Sequence, residues 1–393
     1  MKHTFTESHE QCREYEVAER RQPIRLNPPA VDRAAVDFCR RFVDDTELPR
    51  FVLGRNEYAR SIISHVNITG VIDDFTHETN FSGLPVVKMQ DIPSRSLVVS
   101  SLIGKPQLGA RVLDEHHLAH LDYFAFAEYS GLPVKPVKIW NEFRQDFATN
   151  RPRYQWLFET LCDKESRKTF SDIIHFRNYG VLDYMSAYSD CKERQFEESF
   201  LPPATHGAVY VDAGGYDGDT CLDFIRYCPG YGAIHLFEPE TDNVSAARSR
   251  LASHRDVHIH PIGLSDRKQA LRFASSGTAS SIRSDGGITI EVDKLDSIIT
   301  GSVSVIKMDI EGYEGAALQG AKRTIARCHP AMAICVYHKP DDLWRIPQQV
   351  LSTWDGYEIY LRHYSEGVDE TVMFFVPRQS SDGDRIAFTG GAS

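Results

Sequence analysis

The stretch Val209-Tyr-Val-Asp-Ala-Gly-Gly-Tyr-Asp-Gly-Asp-Thr220 constrains this chain most, because it reads as a buried strand that breaks into a glycine-rich turn and opens a helix. Gly214, Gly215 and Gly218 permit a tight turn and a close backbone approach that any Cβ would obstruct. Helical character resumes at Cys221-Leu-Asp-Phe-Ile225. The turn, which also carries Tyr216, is crowded by Asp212, Asp217 and Asp219. Three carboxylates would repel a pyrophosphate and attract a cation, so the loop favours S-adenosylmethionine over a dinucleotide.

A second short apolar strand, His235-Leu-Phe-Glu-Pro239, closes on an acid. A carboxylate some 20 residues or more beyond the first strand is placed to accept hydrogen bonds from ribose hydroxyls, which assigns Glu238 to the cofactor. A third motif, Ile306-Lys-Met-Asp-Ile-Glu-Gly-Tyr-Glu314, puts Lys307 and Asp309 on one face of a strand with Glu311 beyond its end.

Together Val211–Thr220, Phe237-Glu-Pro239 and Ile306–Glu314 resemble the FkbM family of S-adenosylmethionine-dependent methyltransferases. The resemblance covers about Pro202 to Pro377. It implies O-methylation of a hydroxyl on a sugar, a glycan or a glycosylated natural product.

The length of 393 residues leaves room for more than this one domain. Residues 1–48 read as a charged extension with a frayed start and one docked helix at Val31–Val43. Residues 49–137 read as a smaller Rossmann-like α/β module, with a strand and turn over Arg50–Asn56, strands at Gly70–Phe75 and Leu97–Ser101 and helices at Glu57–His65 and Leu118–Ala127. Residues 138–203 are amphipathic and helical, a linker or lid expected to cover the methyltransferase sheet. Residues 204–378 form the methyltransferase domain, and 379–393 a disordered tail. The fold class is therefore α/β: a Rossmann-like, mostly parallel sheet with a C-terminal antiparallel strand, preceded by the smaller module. In that module Gly54-Arg-Asn56 with Asp73-Asp74 is a weak nucleotide or nucleotide-sugar signal, and docking or assembly is the favoured role. His116 and His120, one helical turn apart, lack the glutamate of a zinc-protease motif and read as surface residues.

Methyl transfer to a hydroxyl is an in-line displacement that gains most from positioning, helped by a base near the departing proton. Catalytic candidates are His338 as base, with Asp309 and Glu311; Asp309 also lies beside the cofactor. Cofactor contacts are expected from Asp212, Gly214, Gly215, Tyr216, Asp217, Gly218 and Glu238. Asp266 and the Gly277–Ile282 loop are expected to flank the adenine or the acceptor. Mg²⁺ is an alternative occupant of Asp309 and Glu311.

A formal charge of −11 disfavours nucleic acid and anionic membranes as partners. The eight scattered cysteines include no C-x-x-C pair, and no apolar run is long enough to span a bilayer, so a reduced, cytoplasmic protein is expected. The partner is expected to be a small saccharide or natural-product acceptor, with homo-oligomerisation left open. The competing functions are a NAD-dependent nucleotide-sugar oxidoreductase, suggested by two Rossmann-like modules, and a catalytically silent ligand-binding module.

Overall fold

The computed structural model describes residues 24–202, 205–274, 281–282 and 287–378. The expectations for the frayed start, for most of the Gly277–Ile282 loop and for the tail lie outside these residues. The chain divides into two units, the first comprising residues up to Gln195 with Cys335–Ile346 and Leu361–Val372, the second comprising the remainder.

In the first unit, α1 (Arg33–Asp44) is capped by Asp32, which accepts from the Ala35 N–H. There follow β1 (Arg50–Leu53), α2 (Glu57–Ile63), β2 (Gly70–Ile72), β3 (Asn80–Phe81), β4 (Leu84–Val87), β5 (Leu97–Ser100), α3 (Pro106–Glu115), β6 (Ala119–Asp122), α4 (Tyr123–Tyr129), α5 (Trp140–Thr160) and α6 (Lys164–Tyr179). The sheet runs β3-β4-β2-β1-β5-β6, and its five strands from β4 to β6 pair in parallel. Residues 138–179, read above as a cover for the other sheet, are placed in this unit's core. Trp140 stacks on Phe124 at 5.0 Å, and Phe176 meets both rings edge-on. A second correction concerns Leu118–Ala127. It begins as strand rather than helix because Ala119–Asp122 pair with Leu97–Ser100, and Asp122 then caps α4 through the Ala125 N–H. His120 thus sits on a strand, 3.0 Å from Asp114, and not one helical turn from His116.

The polar groups of the nucleotide-like signal are occupied within this unit. Arg55 pairs with Asp73 at 2.7 Å and with Glu78 at 2.6 Å. Asn56 caps α2 and donates to the Ser101 carbonyl at 2.8 Å, and Asp74 accepts from the Met89 N–H.

His363 lies buried in the same unit, with Nδ1 3.0 Å from the Thr371 hydroxyl and Nε2 3.2 Å from the Gly367 carbonyl oxygen. Nε2 therefore carries the proton and Nδ1 accepts, which describes a neutral ring. Burial, and then the nearby Arg177 cation, hold its pKa down to about 3. Because the unfolded histidine takes up a proton first, near pH ~6.5, this contribution to stability is full above that pH and is lost as pH falls from there toward 3. The expected slope is about 1.4 kcal/mol per pH unit within that window. Urea unfolding of wild type and His363→Gln from pH 7 to 4.5 checks this. A pH dependence as steep in the variant as in wild type would clear His363 of responsibility.

The second unit is built on β7 (Val209–Ala213), α7 (Asp219–Tyr227), β8 (Ala233–Phe237), α8 (Thr241–Arg250), β9 (Val257–His260), β10 (Gly263–Leu264), β11 (Gln269–Ala274), β12 (Ser281–Ile282), β13 (Ile288–Asp293), α9 (Leu295–Ile298), β14 (Val305–Met308), α10 (Glu314–Gly320), α11 (Lys322–Cys328) and β15 (Ala331–Cys335). The chain ends in α12 (Asp342–Thr353), β16 (Tyr357–His363) and β17 (Thr371–Pro377). The main sheet has the order β16-β17-β15-β14-β7-β8-β9, parallel from β15 to β9. The apolar faces of β7 and β8 bury Tyr210, Ile234 and Leu236 against Cys221 and Phe224 of α7, with Tyr210 stacked on Phe224 at 4.3 Å. A second sheet, β10-β13-β11-β12, follows the third main strand and was not expected from the sequence. No helix among the described residues is long and apolar enough to cross a membrane.

Candidate active site

Strand order places the ends of β14, β7 and β8 side by side, and ligands of open α/β sheets collect at such carboxyl ends. The turn after β7 is fixed there by backbone bonds, since the Gly214 and Gly215 amides both donate to the Phe237 carbonyl oxygen, at 2.9 and 3.2 Å. The Asp309 N–H donates to the Ala213 carbonyl at 3.0 Å. Asp212, the glycine turn, Glu238 and Asp309 are thereby brought together.

Their roles within the turn differ. Asp212 is fully buried, accepts from the Thr220 hydroxyl and the Cys221 thiol, and faces the Lys307 ammonium at 3.7 Å. It ties β7 to α7 and to its register neighbour on β14. Asp217 is held by both terminal nitrogens of Arg250, at 2.8 and 2.6 Å. Asp219 accepts from the Thr220 N–H in the first turn of α7. With two of the three carboxylates facing cations, the turn is less anionic than a count along the sequence implied and would repel a pyrophosphate less.

Glu238 is the buried acid at the rim. One oxygen accepts from the Tyr216 N–H at 3.2 Å; the other accepts from the Glu240 N–H at 2.8 Å and from the Asn243 amide at 3.4 Å. Burial pushes its carboxyl above the usual range, opposed by these donors. A carboxylate offers about four lone-pair directions, so a ribose hydroxyl fits as a further donor. Tyr216, in the left-handed region at φ 45°, is partly exposed beside it.

Packing within the protein already excludes a side chain at Gly214 and Gly215, the latter with Leu236 Cγ 2.4 Å from where a Cβ would stand. A Cβ on Gly214 would stand 1.9 Å from the Asp309 carbonyl oxygen, whereas the tight contact of one on Gly218 would be with the Leu251 side chain, at 2.9 Å.

After β14 the chain turns through Glu311 at φ 55° and Gly312. That turn is held by Glu314, fully buried, whose carboxylate accepts from the Ile310 N–H at 2.9 Å and the Gly312 N–H at 3.3 Å. Glu314 was not among the candidates, although its place at the end of the third motif was the available signal. Mg²⁺ at Asp309 and Glu311 finds no support: among the described residues the carboxylate that gathers with Asp309 is Glu314, not Glu311. Asp266 follows β10 and so rides on the second sheet, partly buried, with the Ser265 hydroxyl 3.3 Å away. His338 is buried on the stretch Cys335–Ile346, which groups with the first unit, its ring 4.0 Å from that of Tyr337. It follows the carboxyl end of β15, the strand paired with β14. An apolar cleft lined by Phe196, Phe224, Tyr227, Met332 and Phe374 opens near Ala208 and Ala331, at the amino end of the strands and away from the turn.

A comparison with curated proteins found no match. The chain is similar in fold to a methyltransferase FkbM from Methylobacillus flagellatus KT, with a TM-score of 0.67 and 20% identity, covering 92% of this chain and 98% of that one. Fainter, partial likenesses are to an rRNA methylase from Streptococcus thermophilus (TM-score 0.32, 11% identity, 47% of this chain and 94% of that one) and to Aeropyrum pernix fibrillarin in complex with S-adenosyl-L-methionine (0.29, 12%, 44% and 69%). Residues 212–366 match the family model described as the methyltransferase FkbM domain. Residues 212–366 thus resemble a methyltransferase domain of the FkbM kind.

Proposed function

We propose that this methyltransferase takes its methyl group from S-adenosylmethionine and delivers it to a hydroxyl of a sugar, glycan or glycosylated natural product. The observation that carries the donor assignment is the buried Glu238 carboxylate, tied to the Tyr216 amide of the glycine turn and retaining a direction for a ribose hydroxyl. The FkbM match over residues 212–366 supports it. Asp309, half-buried at the neighbouring strand end, is the carboxylate proposed to lie beside the sulfonium and the acceptor. The chain's own part is to hold the two reactants in line, from which most of the acceleration of such a displacement derives. The donor supplies the electrophilic methyl group. The acceptor class rests on the family resemblance, and a panel of nucleotide-sugars and glycosides assayed for methyl transfer is its test.

Isothermal titration with S-adenosylhomocysteine and with NAD tests the donor. Binding of the first alone is expected. Binding of NAD alone would move the reading to an oxidoreductase. In Glu238→Ala, S-adenosylhomocysteine should bind about 1.5–3 kcal/mol more weakly, roughly ten- to a hundredfold, the scale of a hydrogen bond to a charged group. Affinity unchanged in that variant would remove Glu238 from the cofactor site.

A further inference from the structure

Four aromatic rings form one column across the edge of the second unit's main sheet. His235 and Phe237 share a face of β8, His258 and His260 a face of β9, and the register sets His235 beside His258 and Phe237 beside His260. The rings stack in the order His258, His235, His260, Phe237, with centroids 4.9, 5.4 and 4.4 Å apart and planes within 21°. The His235 Nδ1 and His260 Nε2 atoms are 3.1 Å apart, a hydrogen bond in which one nitrogen donates and the other must be unprotonated. The helix α8 packs on the opposite face, where Ala247 joins Ile234 and Leu236. Among the described residues, the charges acting on His235 are those of His258 and His260, and the one acting on His260 is that of His258. No carboxylate among them compensates a proton taken up by the column.

We propose that this column is a proton-sensitive clasp, which holds the edge strand β9 on β8 while its imidazoles are neutral and releases the strand when they take up protons. A single added proton can be shared between His235 and His260 as N–H⁺···N. A second removes the accepting nitrogen and sets two cations face to face in a partly buried site. Burial, and then the charges of His258 and His260, hold the His235 pKa down to about 4, and burial followed by His258 lowers that of His260. A ring released from the column takes up its proton near pH ~6.5. Because the folded-state pKa is the depressed one, the clasp is fully closed above pH ~6.5 and is lost as pH falls from there toward 4. Behind the clasp lie the backbone bonds of the cofactor side. The Glu238 N–H donates to the His260 carbonyl oxygen at 3.2 Å, and the Phe237 carbonyl oxygen accepts from both glycines of the turn. Control of cofactor retention by the clasp rests on the proposed function, whereas the opening of β9 does not.

Hydrogen exchange of the tag-free full-length chain at pH 7 and pH 5, corrected for intrinsic exchange rates, tests the clasp. One ring depressed from ~6.5 to about 4 lowers the closed-to-open ratio about twentyfold between these conditions, and protection of the Val257–His260 amides should fall by that factor. Protection of Val305–Met308, in the centre of the same sheet, should hold. The double variant His235→Asn with His260→Gln can keep a hydrogen bond between the strands but takes up no proton, so the fall at β9 should be absent from it. Nuclear magnetic resonance of the wild type with labelled histidine needs no variant: the His235 and His260 rings should stay neutral at pH 6 and titrate together with the loss of β9 protection. From pH 7 to 5, S-adenosylhomocysteine affinity should fall further in wild type than in the double variant. Equal loss of protection in the two proteins, unchanged β9 protection in wild type, or rings that titrate near pH ~6.5 with β9 still protected would overturn the clasp. An equal loss of affinity in both would overturn its hold on the cofactor. No binding of S-adenosylhomocysteine even at pH 7 would instead count against the proposed function and leave the exchange result standing.

Discussion

Gly214→Ala is expected to cost the second unit about 2–5 kcal/mol, out of the ~5–15 kcal/mol that holds a typical domain folded. Part of the cost is conformational: Gly214 has φ +77°, where a side chain costs roughly 1–2 kcal/mol. The larger part is overlap, because the new Cβ would lie 1.9 Å from the Asp309 carbonyl oxygen and 2.9 Å from its carbon. Neither neighbour can retreat cheaply. The Gly214 N–H is bonded to the Phe237 carbonyl at 2.9 Å, and Asp309 donates its own N–H to the Ala213 carbonyl at 3.0 Å. Gly218→Ala is the control, since it shares the backbone strain at φ +85° but makes its tight contact with the Leu251 side chain, which can rotate away. Urea unfolding should rank Gly214→Ala well below Gly218→Ala, with loss of S-adenosylhomocysteine binding following the displaced turn. Equal destabilisation of the two variants would show that backbone strain, not the approach of β14, makes glycine necessary here.

That comparison marks how far the sequence was legible. A run such as Val209-Tyr-Val-Asp-Ala213 followed by glycines declares a buried strand and its turn locally, and β8 and β14 could be recognised in the same way. The partners of side chains were hidden, because they come from residues remote in the chain. Lys307 reaches Asp212 only through the β14–β7 register, and Arg250 reaches Asp217 from the far end of the next helix. Gln269–Ala274 and Ile288–Asp293 form most of the second sheet, yet only their antiparallel pairing shows that the segment is more than a loop. Asp122 illustrates a different limit. It ends a strand and caps a helix with no glycine or proline between them, so nothing local separates the two elements. Amphipathic helices such as α5 and α6 advertise an apolar face but not the surface that buries it.

Removal of residues 1–137 is expected to leave a chain that fails to fold, contrary to what a boundary near Lys138 suggests. The first unit is assembled from three stretches, and deleting up to Val137 removes β1 to β6 while retaining the helices that pack on them. Trp140, Phe176 and Met185 would lose the core they share with Phe124, Val52 and Val99. Each fully buried apolar side chain of this size is worth about 1.5–3 kcal/mol, so the three together approach the net stability of a whole domain. Losses continue along the stretch Leu361–Val372. Glu366 would lose the Leu108 N–H at 2.8 Å and the Arg111 guanidinium at 3.2 Å, the bonds that tie this stretch to α3. Since that stretch is continuous with β16 and β17, its disorder would reach the strands at one edge of the main sheet. The truncated chain should therefore be recovered in aggregates, or bind a hydrophobic dye with weak near-ultraviolet circular dichroism. A soluble, cooperatively unfolding product that binds S-adenosylhomocysteine like the full chain would mean that residues 138–195 can find another surface to cover them, and that the upstream sheet is dispensable for the methyltransferase domain.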